Sequence, residues 1–172
     1  KKDLRKIPEI LEDDSDERRE MKLSKRAAEF NENLQVLRIP KYNTTALANL
    51  KILNLYDNHI KSLEGIGHLD VTPIEEISLG GNDLDHLPLE FGRLKTLRSL
   101  WLDDNDFEEF PMAICQLVNL ESLRFSSNKL SAVPPTIAHL SELSTLALDN
   151  NLFSSFPEQI LSLARLKHLW LR

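Results

Sequence analysis

Five histidines, one cysteine, one glycine pair and one acidic run are the residues whose types could support a reaction or hold an ion. His59, His68, His86, His139 and His168 could offer imidazole nitrogens to a transition metal. They occur at unrelated places in the chain's internal pattern, so periodicity brings no metal site together from them. Cys115 is the single cysteine and has no C-x-x-C partner, so it reads as a small buried or half-buried residue rather than a reactive thiol. The run DDNDFEE at 103–109 could recruit a hard cation, but it reads as a solvated acidic face. Gly80-Gly81 lacks the GxxxxGK[ST] frame of a phosphate loop. No catalytic residue, cofactor-binding residue or metal ligand emerges, and the chain is expected not to be an enzyme and to need no cofactor.

The elements behind these residues are set by repetition. Units open at Leu94 (LKTLRSLWLDDNDFEEFPMAICQ), Leu117 (LVNLESLRFSSNKLSAVPPTIAH) and Leu140 (LSELSTLALDNNLFSSFPEQILS), 23 residues apart. Val71–Arg93 fits the same length, and Leu47–Asp70 is one residue longer and lacks the proline. The units are therefore 47–70, 71–93, 94–116, 117–139 and 140–162, with a partial unit at 163–172. The pattern LxxLxLxxNxL occurs in five intact copies. The chain stops inside a strand after LWLR, so further repeats or another domain are expected to follow.

Over 47–172 this pattern resembles the leucine-rich repeat superfamily. The second halves FPMAI, VPPTI, FPEQI and LPLEF are similar to the 23-residue intracellular class. That class includes the Ras-group proteins of animals and plants and the Scribble- and Erbin-type scaffolds. SLEGIGHL in the first unit is more similar to the protein-phosphatase-regulator subclass. The resemblance implies an α/β solenoid: a right-handed coil with a parallel concave sheet and an irregular, 3-10 or short-helix convex side. It also implies protein partners, with a small GTPase, a phosphatase subunit or an assembly scaffold as candidates.

The spacing has a physical reading of its own. Leu100 and Leu102 are two apart on a strand, so both point to one face, into the core. Leu94, Leu97, Phe107, Phe110 and Ile114 line the same interior. Each fully buried large apolar side chain contributes about 1.5–3 kcal/mol. An isolated unit gains too little to offset the ordering of its backbone, so neighbours must stack. Asn58, Asn82, Asn105, Asn128 and Asn151 recur where the chain bends away from the strand, and an amide can both donate to and accept from stranded backbone groups. Pro88, Pro111, Pro134 and Pro157 suit a return path with no donor to waste.

Ahead of the repeats, residues 1–14 form a charged segment, with LRKIPEIL readable either as the tail of a degenerate unit or as a coincidental match. Residues 15–46 are expected to form an N-terminal helical cap and an irregular first strand. The helix is placed on SDERREMKLSKRAAEFN, with Asp14 and Glu17 as its capping pair and Met21, Leu23, Ala27, Phe30 and Leu34 at helical spacing. The strand is placed on LQVLRIP, with Tyr42 where the asparagine belongs.

Residues between the inward leucines face the concave side. One outward column reads Arg38, Asn54, Ser78, Trp101, Arg124, Ala147 and Trp170. Two positions on, it reads Pro40, Tyr56, Gly80, Asp103, Ser126, Asp149 and Arg172. The next position gives Lys41, Asp57, Gly81, Asp104, Ser127 and Asn150, and a fourth column starts Val36, Ile52, Glu76. Both tryptophans share one column. Outward aromatics beside arginine are the residue types that dominate protein interfaces. Trp101, Arg124, Tyr56, Asp103, Asp104, Asp149, Trp170 and Ile52 are therefore the candidate partner-binding residues. Gly80 and Gly81 would leave a flat or hollow place for a partner. The alternative is that the indoles merely cover neighbouring strands or a missing cap.

Charge narrows the partner: 27 acidic against 21 basic residues give a net −6. That balance offers no basic stripe for nucleic acid. No apolar run approaches the ~18 residues of a membrane span. One cysteine in 172 residues fits a reducing, cytoplasmic setting. The expected function is a non-catalytic protein-interaction module, a scaffold or regulatory adaptor in intracellular signalling, built as a monomeric repeat unit within a larger protein or complex. The alternatives are a structural accessory subunit of a large complex, or the targeting repeats of a larger enzyme such as a ubiquitin ligase or kinase.

Overall fold

The computed structural model describes residues 20–22, 36–39 and 47–172, the first three by backbone alone. Strands β1 (Glu20–Lys22), β3 (Ile52–Asn54), β5 (Glu76–Ser78), β6 (Ser99–Trp101), β7 (Ser122–Arg124), β8 (Thr145–Ala147) and β9 (His168–Trp170) form one parallel sheet in the order β1-β3-β5-β6-β7-β8-β9. Strands β2 (Val36–Arg38) and β4 (Ser62–Glu64) form a second, two-stranded parallel sheet. Return segments carry short 3-10 helices at Ile66–Val71, Leu89–Arg93, Met112–Gln116, Pro135–His139 and Glu158–Ser162. The architecture is an α/β solenoid in which 3-10 turns take the place of longer helices.

Register follows from the period. Ile77, Leu100, Leu123, Leu146 and Leu169 are matched strand to strand. The first four are completely buried, as are Leu79, Leu102, Phe125 and Leu148 two positions on. Each strand is three residues long, one inward side chain flanked by two outward ones, as in Ser99, Leu100 and Trp101, and the second inward leucine follows just past it. In the interior the Phe125 ring lies tilted against Phe107 and stacked on Phe110, with centroids 5.0 and 5.6 Å away.

The recurring asparagines close the bend. The Asn105 amide donates to the carbonyls of Leu102 in its own coil (3.1 Å) and Leu79 in the preceding one (3.0 Å). Its oxygen accepts from the Leu84 N–H at 3.0 Å. Asn82, Asn128 and Asn151 repeat this bridge between adjacent coils. At the next bend, the prolines immediately precede the 3-10 turns and lend only their carbonyls, Pro88 to Phe91, Pro111 to Ile114, Pro134 to Ile137 and Pro157 to Ile160.

The N-terminal part departs from expectation in two ways. Glu20–Lys22, inside the stretch expected to be helical, is a strand paired with β3. The remainder of that stretch, with Tyr42 and residues 1–14, lies outside the described residues. Val36–Arg38 is a strand as expected, but it pairs with Ser62–Glu64 rather than joining the concave sheet. Arg38 and Val36 therefore do not head the outward columns. Leu37 and Ile39 are buried, and a two-residue alternation satisfies burial in either sheet, so the local pattern could not choose between them. The His68 ring nitrogen lies 2.9 Å from the Ile39 carbonyl and ties this segment to the return path.

Candidate functional site

The outward column of β5, β6 and β7 carries Ser78, Trp101 and Arg124 side by side. Their backbone is committed to the ladder, Leu79 N–H to Trp101 O and Leu102 N–H to Arg124 O, both at 2.8 Å. Side chains alone are left to do anything else. Trp101 is half-buried, and its neighbour Ser78 is only 2% exposed although it too is on the concave face. The indole thus covers part of its own sheet and leaves the rest in water. The Arg124 guanidinium carbon lies 5.8 Å from the Trp101 ring centroid, within cation–π range. On its other side, Arg124 Nε meets the Asp103 carboxylate at 2.9 Å.

Asp103 organises the next column. Its Oδ1 accepts from the Ser126 N–H at 3.0 Å, and the Ser126 hydroxyl donates to Asp149 Oδ1 at 2.6 Å. Burial pushes the Asp103 carboxyl above its ordinary range. The Ser126 N–H and Arg124 oppose that shift, while Asp104 and Asp149 add to it. Desolvation outweighs the ion pair, since the guanidinium is half-exposed and screened.

Around these groups lies an open groove of about 490 Å³, lined by Asp103, Asp104, Arg124, Ser126, Ser127, Thr145, Ala147, Asp149 and Trp170. Five of the eight candidate residues, Asp103, Asp104, Arg124, Asp149 and Trp170, meet in it. Trp101 adjoins it through Arg124. Tyr56 and Ile52 do not line it. Ile52 is half-buried on β3. Ser126, Ser127, Thr145 and Ala147 stand in the outward columns but were not singled out, because small residues carry no signal until their larger neighbours are placed.

Two expectations about the concave face change. Gly80 leaves no hollow: a Cβ built there would come within 3.2 Å of the Tyr56 ring and of the Asp103 carbonyl oxygen. Tyr56 folds over the glycine pair and occupies that space. The column Asp57, Gly81, Asp104, Ser127 and Asn150 has left-handed backbone throughout, with φ of 57, 67, 53, 54 and 55°. Glycine, asparagine and aspartate tolerate that conformation best. Asp104 thus owes its place partly to the bend.

The histidines disperse, and no group of three or more His, Cys, Asp or Glu side chains is placed to hold a metal among the described residues. Cys115 is buried and takes a bond from the Thr136 hydroxyl at 3.4 Å, and burial pushes its thiol up. No described helix is long and apolar enough to cross a membrane.

Stacked strand-and-turn units bridged by an asparagine ladder define a repeat solenoid. A family model described as leucine-rich repeat region matches residues 59–172, and the chain belongs to the leucine-rich repeat family. Among solved structures, a leucine-rich repeat protein of Leptospira interrogans shares 30% identity at a TM-score of 0.56, over 79% of this chain and 42% of that one. The plant peptide hormone receptor RGFR1, solved in complex with RGF2, shares 29% at 0.61, over 79% of this chain and 22% of that one. An internalin of Listeria monocytogenes, at 19% identity and TM-score 0.61, covering 77% of this chain and 37% of its own, shares the fold. The chain spans less than half the length of each. None of the curated proteins matches it.

Proposed function

We propose that the chain is a non-catalytic protein-interaction module whose concave sheet docks a protein partner. The observation that carries this reading is the Trp101–Arg124–Asp103 stack, an outward aromatic and arginine held in place before any partner arrives. Preordered side chains lose little entropy on binding. The likeness to a receptor solved with its peptide hormone supports a binding role for the fold. A scaffold or regulatory adaptor in intracellular signalling is the fuller form of the proposal, with a small GTPase, a phosphatase subunit or an assembly scaffold as partner. One unpaired, buried cysteine supports a cytoplasmic setting.

The test is partner capture with crosslink mapping, comparing the parent with the Trp101→Ala, Arg124→Ala double variant. Crosslinks on the concave strands, lost in a double variant that still folds, are the expected result. Crosslinks confined to the 3-10 side, or capture unchanged by the double variant, would overturn the reading in favour of an accessory subunit held by its convex face.

A further inference from the structure

The concave face is unevenly charged. Residues 47–172 hold 17 acidic and 10 basic side chains, a net of −7. Within the groove, Asp103, Asp104 and Asp149 face a single cation, Arg124, which is already spent on Asp103. Asp149 is held by neutral donors, the Ser126 hydroxyl and the Asn150 amide at 3.3 Å. Among the described residues, neither Asp104 nor Asp149 makes an ion pair. Beside them, Trp170 lines the groove with its ring against His168, and Ala147 forms an apolar floor that is 6% exposed.

The Ser126 hydroxyl and the Asn150 amide hold the Asp149 carboxylate in a fixed position. An indole beside a small apolar floor offers a place for a partner's aliphatic stem. We propose that this groove takes a segment of a protein partner that presents a lysine or arginine next to an apolar residue. The cation would lie against Asp104 and Asp149 and the apolar side chain on Trp170 and Ala147. An acidic segment would meet repulsion on this floor, so the same geometry selects against it. This inference rests on the concave-binding reading above and names the chemistry of its partner.

Both tryptophans of the chain are on the concave sheet, so intrinsic fluorescence reports the groove directly. The probe is a short synthetic peptide alternating lysine with alanine and leucine, titrated beside a counterpart with glutamate for lysine. The lysine peptide should shift the emission and the glutamate peptide should not. Asp104→Asn with Asp149→Asn should weaken binding about tenfold or more. A charge-matched pair outside the groove, Glu142→Gln with Glu158→Gln, should change it less than about twofold. Equal losses from the two pairs, equal response to the two peptides, or no response to the lysine peptide would overturn the proposal. Concave crosslinks to a captured partner combined with any of those failures would reject the basic-segment chemistry and leave the concave reading standing. Convex crosslinks alone would remove both.

Discussion

Arg124 lies one strand beyond Trp101 in the same outward column, its guanidinium carbon 5.8 Å from the indole centroid and its Nε 2.9 Å from Asp103. Each contact is half-exposed and modest, and together they fix a long side chain that would otherwise sample many rotamers. The pair is therefore best viewed as preordering a surface, not as stabilising a core.

Trp101 should report the loss of this stack. In a Trp170→Phe background, Arg124→Ala should shift Trp101 emission to the red as water reaches the ring. The change in unfolding free energy should stay below about 1 kcal/mol, since exposed cation–π and ion pairs are worth that order. Arg124→Lys should lie between, because an ammonium cannot stack as a plane while bonding Asp103. An unshifted spectrum in the alanine variant would show that the guanidinium does not cover the ring.

Asn105 is expected to matter far more to stability than any groove residue. Asn105→Ala strands the Leu84 N–H in a site only 7% exposed and leaves the Leu79 and Leu102 carbonyls with one amide donor each, from Asn82 and Asn128. A loss of about 1–3 kcal/mol in urea unfolding should follow. Asn119→Ala is the control: its amide bonds the Lys95 carbonyl at an exposed position, so its loss should cost less than about 0.5 kcal/mol. Similar losses in the two variants would mean that the ladder does not join the coils as described.

Acidification should stabilise the Asp103 site. Its carboxyl has a higher pKa folded than unfolded, chiefly through burial. Between those two values the native state binds more protons, so this group's contribution falls as pH rises through the window and returns as pH falls. Asp103→Asn removes that dependence and keeps an oxygen for the Ser126 N–H. The variant should be at least as stable as the parent near neutrality. The difference should shrink below the raised value, read as the urea midpoint against pH. A variant less stable than the parent at neutral pH would mean that the Arg124 ion pair outweighs burial.

Much of this was legible in the chain. Periodicity assigned Leu100, Leu102, Phe107 and Ile114 to the interior, and all four are fully buried. The outward columns followed from alternation, and five candidate residues share one groove because parallel strands in constant register place equal positions side by side. Tyr56 was read as an outward aromatic and is 45% exposed, but its ring also lies against Gly80, which the column alone did not indicate. Which of two neighbours fills a space depends on side-chain reach between coils, and spacing along the chain does not encode that.

The sequence by itself determined the coil, its core and its asparagine bridges, because each follows from a local period that five copies repeat in register. Tertiary structure alone decided that Val36–Arg38 pairs with Ser62–Glu64, that Glu20–Lys22 extends the concave sheet, and that Arg124 stands between Trp101 and Asp103. Those choices depend on which strand edges meet across coils of unequal length. Backbone hydrogen bonding accepts almost any partner, and only the assembled stack selects one.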